Sequence, residues 1–271
     1  MNASGCPLCP SSAGPALAEE LDEGAFYRCP SCRLEYVDPV PSGAPLFQDF
    51  SASGESLLQS VDEGMPLAPA LTPNERAVLR RLERDLPAQS AVLELCCESG
   101  RFLAMLRHRR FRALGMDPLP GPVRMLRRRG FDVEAGLVEE VPAAWPTPAA
   151  VVLLESLVRF PKPLELLQAV RRRFPNAVLY LTAPSPRRSL KLPQFDRRLD
   201  YPPDHLTRWS PLALRRLLEQ AGYRAKVTRI FVTLHVWRGR FRNRVLKMIF
   251  WTLLRLWGEL DYSIMAVGRT R

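Results

Sequence analysis

The 271-residue chain has no apolar run as long as a membrane span, and residues 1–12 lack the apolar core of a secretory leader. Both absences set aside an exported or membrane-spanning protein and predict a cytoplasmic one. Lysine is scarce too. Arginine supplies nearly all of the 39 basic residues, which exceed the 28 acidic ones for a net charge of +11. The chain also carries 26 prolines, and the pairing of arginine with proline follows genomic base composition as readily as it serves an anionic partner. The charge is uneven: residues 1–75 hold 2 basic and 11 acidic residues, net −9, and residues 76–271 hold 37 and 17, net +20. The basic part suits nucleic acid, a nucleotide-sugar or a lipid surface, or is a solvated arginine-rich face.

What the sequence does have begins with cysteine. Cys6-Pro7-Leu8-Cys9 and Cys29-Pro30-Ser31-Cys32 are two C-x-x-C knuckles with 19 residues between them. Four thiolates at this spacing close a tetrahedral zinc site. Phe26 to Arg28 and Leu34 to Val37 read as short strands beside the second knuckle, so residues 1–40 are expected to form a zinc ribbon. A segment this small needs its metal to fold. Disulfides are the alternative, disfavoured in a reducing cytoplasm. With no open ligand position, the metal is read as structural. The ribbon is acidic and would be repelled by phosphate, which counts against nucleic acid as a partner. Residues 41–72, rich in Pro, Ser, Gly and Ala, read as a linker in which Phe47, Phe50, Leu57 and Leu58 could seat a short helix.

From residue 73 onward the chain alternates strands and helices. Thr72 and Pro73 start a helix with Leu79, Leu82 and Leu86 on its apolar face. Strands are predicted at 91–96, 112–117, 131–135, 149–154, 177–182, 227–236 and 262–267, with helices near 100–110, 121–129, 163–174 and 210–221. That alternation implies an α/β fold with a parallel, doubly wound sheet. Glu94 lies near the end of the first strand, the second ends on Asp117, and a polar turn with Ser99 and Gly100 at its end leads into a helix. This is the edge at which open α/β sheets bind nucleotides.

These stretches resemble class I S-adenosylmethionine (SAM)-dependent methyltransferases. Glu94 matches the acid of the family's first motif and Gly100 its last glycine; Cys96 and Glu98 stand where the other two glycines belong. Later stretches extend the likeness over essentially the whole chain. At 151–163, Arg159 and Lys162 replace the usual His and Asp while Pro163 is kept. Residues 179–184 resemble the fifth strand, and Pro202-Pro203-Asp204-His205-Leu206 with Trp209-Ser210 resembles a loop of a bacterial subgroup that also carries an N-terminal zinc ribbon.

The resemblance implies a Rossmann-like seven-stranded methyltransferase sheet over 73–271, SAM as cofactor and a small-molecule or cell-envelope, sugar-type acceptor. It implies that Glu94, Cys96, Glu98 and Gly100 border the methionine part, that Asp117 holds the ribose, and that Glu155 and Ser156 line the site. His205 is the candidate base, or else a structural loop histidine. Cys97 is structural, and no neighbouring histidine activates Cys96 as a nucleophile. The alternative function is a binding or scaffold module whose cofactor site has degraded. Residues 240–259 combine a narrow basic stripe with a wide apolar face. That face is buried against the chain itself, against a second copy in a homodimer, or on a membrane surface, which would make the protein membrane-peripheral.

Overall fold

A computed structural model describes residues 5–9, 14–22, 24–41, 71–186, 201–203, 205–231, 248, 252 and 261–270. Most of the expected linker, including Phe47, Phe50, Leu57 and Leu58, lies outside these residues, as do His235 and nearly all of 240–259. Among the described residues no helix is long and apolar enough to cross a membrane.

The centre is a seven-stranded sheet. Its strands are β4 (Ala91–Leu95), β5 (Arg112–Asp117), β6 (Asp132–Ala135), β7 (Ala150–Leu154), β8 (Val178–Pro184), β10 (Arg224–Phe231) and β11 (Asp261–Arg269). Their order is β10-β11-β8-β7-β4-β5-β6. Strands β6, β5, β4, β7 and β8 pair in parallel. The expected parallel pairing holds for these five strands, while β11 inserts between β8 and β10 and runs antiparallel to both. The sheet is therefore mixed. A reversed strand carries the same apolar pattern as a parallel one, so residue types do not disclose its direction.

Successive residues of a strand point to opposite faces, and the core divides accordingly. Val92, Val152 and Tyr180 pack with α1 (Pro73–Asp85), α2 (Arg101–His108) and α3 (Pro120–Arg128). Leu93, Leu95, Val151, Leu153, Leu179 and Leu181 pack with α4 (Pro163–Arg173) and α5 (Pro211–Gln220). The result is three layers with both faces covered, as near-continuous apolar strands require. Local chemistry sets the helix starts. Thr72 Oγ1 accepts from the Glu75 N–H at 3.2 Å while Glu75 Oε2 accepts from the Thr72 N–H at 2.6 Å, a reciprocal capping box with Pro73 in the first turn. Ser210 caps α5 by accepting from the Ala213 N–H at 3.1 Å.

The N-terminal segment forms a four-stranded antiparallel sheet in the order β1-β2-β3-β9. Its strands are β1 (Ala16–Glu20), β2 (Ala25–Arg28), β3 (Glu35–Asp38) and β9 (Thr207–Arg208). The last strand comes from the loop before α5, so the ribbon is sewn into the main domain. Leu8, Cys29, Cys32, Leu34 and Tyr36 belong to the same buried cluster as Trp209, Leu214 and the sheet. The Arg208 guanidinium lies 3.8 Å from the centre of the Phe26 ring and 2.7 Å from Glu19 Oε2.

Candidate active site

In the sheet order, the connections leaving β4 and β7 diverge to opposite sides, which opens a crevice beyond their carboxyl ends. A cavity of about 180 Å³ lies there. Glu94, Cys96, Glu98 and Glu155 line it together with Asn74 and Arg101. Of the expected cofactor residues, Gly100, Asp117 and Ser156 do not line it.

The turn after β4 takes backbone conformations that suit glycine at positions where the sequence has side chains. Cys96 has φ 60°, Glu98 φ 46° and, across the crevice, Glu155 φ 56°. Left-handed conformations of this kind cost non-glycine residues of order 1 kcal/mol each and cluster at functional sites. Gly100, with φ 73°, closes the turn and caps α2. A methyl group there would sit 2.1 Å from Leu126 Cδ2, so both its conformation and its close packing demand glycine.

Asp117 ends β5, buried, with each carboxylate oxygen held by a backbone donor. Glu98 N–H donates to Oδ2 at 2.8 Å and Leu119 N–H to Oδ1 at 2.9 Å. Burial pushes its carboxyl up to about 6, against the lowering effect of those two donors. Glu94 is only 4% exposed, and its carboxyl is held well above the usual range, first by burial and then by the nearby Glu75, Glu98 and Asp117. Its Oε2 finds no hydrogen-bond partner among the described residues, and neither does Oδ1 of Asn74, itself 2% exposed. Two buried acceptors without donors face one cavity, a setting that calls for a cationic or donor-rich guest. Sequence reasoning missed Asn74; its signal is a polar side chain directly after the proline that opens α1. It also missed Arg101, whose Nε lies 2.7 Å from Glu75 Oε1 and ties the start of α2 to the capping box of α1.

Burial pushes the Cys96 thiol far above its ordinary value, and Ser156, fully buried, lies beside it. Cys96 is thus an inert wall residue. Cys97 is buried in the core cluster and also borders the cavity.

His205 is not in this cavity. It is 6% exposed at a second, much smaller one formed by Val158, Pro184, Ser185, Pro186, Thr207 and Arg208, where the loop before α5 meets the ends of β7 and β8. Its N–H donates to Tyr201 O at 3.0 Å. Across the crevice Arg159, in a 3-10 turn at Leu157–Arg159 after β7, forms an ion pair with Glu98.

In the ribbon, the sulfurs of Cys6, Cys9, Cys29 and Cys32 all lie within 4.8 Å of one another. The separations are 3.6 Å for Cys6–Cys32 and Cys9–Cys29 and 3.9 Å for Cys6–Cys9. Zinc–sulfur bonds of about 2.3 Å in a tetrahedron give edges of about 3.8 Å, so the cluster fits the metal in donor type, number and spacing.

The fold is a Rossmann-like α/β sheet with a crevice at its switch point, and similarity narrows it. The methyltransferase domain family model matches residues 70–226. The chain belongs to this family and has the Rossmann-like class I SAM-dependent methyltransferase fold. No curated protein is similar to it in sequence. Among solved structures, it resembles the complex of the Haloferax volcanii Trm112 methyltransferase activator with a methyltransferase, at 18% identity and TM-score 0.57 over 83% of this chain and 99% of the other. A SAM-dependent methyltransferase from Archaeoglobus fulgidus matches at 18% identity and TM-score 0.53, covering 72% and 94%. The plantazolicin methyltransferase BamL, solved with S-adenosylhomocysteine (SAH), matches at 13% identity and TM-score 0.51, covering 82% and 86%.

Proposed function

We propose that the protein is a cytoplasmic SAM-dependent methyltransferase acting on a small-molecule acceptor, of which a cell-envelope or sugar-type compound is one class, with a structural zinc in its ribbon. The observation that carries the reading is the pair of buried, unpartnered acceptors, Glu94 Oε2 and Asn74 Oδ1, in the crevice at the carboxyl ends of β4 and β7. SAM supplies an electrophilic methyl group on a sulfonium. Its ammonium is the donor-rich cation these two acceptors lack, and Arg101 stands beside them for the carboxylate. Asp117 is held by two backbone donors with lone pairs left for ribose hydroxyls. Glu155 closes the crevice from the β7 side, its Oε1 2.7 Å from Ser263 Oγ. His205, in the small second cavity where the loop before α5 meets the ends of β7 and β8, is the proposed base, its task being to take one proton from the acceptor. Methyl transfer asks of such a site only that it hold donor and acceptor in line and keep water out.

A second reading, a degraded site serving as a binding module, draws on the side chains at positions 96 and 98 and on the Glu98–Arg159 pair. One experiment separates the two. The zinc-loaded protein is incubated with SAM labelled in its methyl group and the small-molecule fraction of a bacterial lysate. Label in an extractable product, lost in Asp117→Ala and reduced in His205→Ala, is the expected result. No labelled product with a protein that binds SAH favours the binding module.

A further inference from the structure

We propose that Glu98 and Arg159 form an ion-pair latch across the cofactor crevice, and that the pair must open for SAM to enter. The inference rests on the reading of the crevice as a SAM site.

Glu98 sits on the turn after β4, and Arg159 on the turn after β7, 61 residues later. The two turns are the opposite banks of the crevice where the sheet's connections diverge. The pair therefore spans the opening. Arg159 is mostly buried, its side chain 13% exposed, and Glu98 is 34% exposed. Arg159 pairs with Glu98, whose own N–H is bound to Asp117, so the pair stands next to the ribose-side carboxylate. Asp117 is correspondingly absent from the lining of the cavity, whose 180 Å³ falls short of the 300 Å³ or more that a ligand of this size needs (about 300–1,000 Å³ is typical).

Both halves of the latch are held from behind. The Glu98 N–H is fixed on Asp117, and the residue holds a left-handed backbone. The turn bearing Arg159 is pinned by Leu206, whose N–H donates to Val158 O at 2.8 Å, and Leu206 O in turn accepts from the Val37 N–H of the ribbon at 3.0 Å. Each bank is thus tied to the rest of the fold on one side, and the ion pair ties the two to each other across the crevice. Glycine at position 98 would leave no latch at all.

A latch lowers apparent affinity by the fraction of time it is open. The test titrates SAH into zinc-loaded full-length protein as wild type, Arg159→Gln, Glu98→Gln and the double variant, with amide exchange of 96–99 and 155–160 measured in the absence of SAH. Arg159→Gln is expected to bind SAH about tenfold tighter than wild type and to exchange faster on both segments. Its gain is expected to vanish in the Glu98→Gln background. Unchanged exchange, or binding in Arg159→Gln equal to or weaker than wild type, overturns the latch and makes Arg159 a ligand contact. Faster exchange with no SAH binding by any variant keeps the latch and overturns the methyltransferase reading.

Discussion

The backbone N–H of Glu98 donates to Asp117 Oδ2 at 2.8 Å, so the residue that replaces a glycine also positions the carboxylate at the end of the next strand. Burial nevertheless holds the Asp117 carboxyl up to about 6. A carboxyl whose folded value is raised contributes stability at low pH that is lost as pH rises through the folded value. Ionising Asp117 between pH 4 and 7 is therefore expected to withdraw roughly 3 kcal/mol from the ligand-free protein. Urea denaturation of wild type and Asp117→Asn across that range reads the difference; parallel curves for the two proteins would show that Asp117 titrates normally.

The same group gives cofactor binding a pH dependence of the opposite sense. Ribose hydroxyls donate best to an ionised carboxylate, so SAH affinity is expected to rise with pH through about 6 and level off above 7. The dependence is expected to be absent in Glu98→Gly only if the Glu98 N–H no longer holds Asp117. An affinity independent of pH from 5 to 8 in wild type contradicts the assigned role of Asp117.

Two glycines with the same left-handed backbone separate packing from conformation. Gly100 has φ 73° and an added methyl would meet Leu126 at 2.1 Å; Gly130 has φ 72° and nothing within 4 Å. Gly130→Ala is expected to cost about 1 kcal/mol, from the backbone alone, and Gly100→Ala about 1–3 kcal/mol more, from overpacking. Chemical denaturation of the two variants side by side measures both. Equal losses would mean that Leu126 yields freely.

The ribbon is expected to hold about one zinc per chain. Cys29→Ser is expected to release it, to open residues 14–41 to protease, and to loosen the His205 loop as well, because β3 pairs with β9 and Val37 with Leu206. Metal analysis and limited proteolysis with mass mapping check the three effects. A metal-free variant that keeps 201–210 protected would show that the loop stands without the ribbon.

Much of this was legible in the residues. The run at 91–95 and the run at 150–154 are apolar because both faces of the sheet are covered, and they are the buried centre. The two cysteine knuckles announced their own site, since only a few residue types bind zinc and their spacing is local. The long-range geometry was not legible. β1, with the sequence Ala-Leu-Ala-Glu-Glu, and the two-residue β9 have no strand signature and exist because β2 and β3 offer them edges. The reversed β11 carries no mark of its direction. His205 reads like a crevice residue, but its loop is drawn to the ribbon and sets it in a separate cavity. Glu98 looked like a steric defect in a glycine motif. Its partner is 61 residues away, and no local pattern pairs them.

The central claim is that this crevice, for all its departures from glycine, is a SAM site. Isothermal titration of SAH into the zinc-loaded full-length protein at pH 7.5, with Asp117→Ala as control, tests it most directly (that pH lies about 1.5 units above the value of Asp117). The account predicts weak but saturable binding at about one site per chain, with affinity on the order of 0.1 mM, lost in Asp117→Ala. No binding at millimolar SAH, or equal binding by the two proteins, would contradict it.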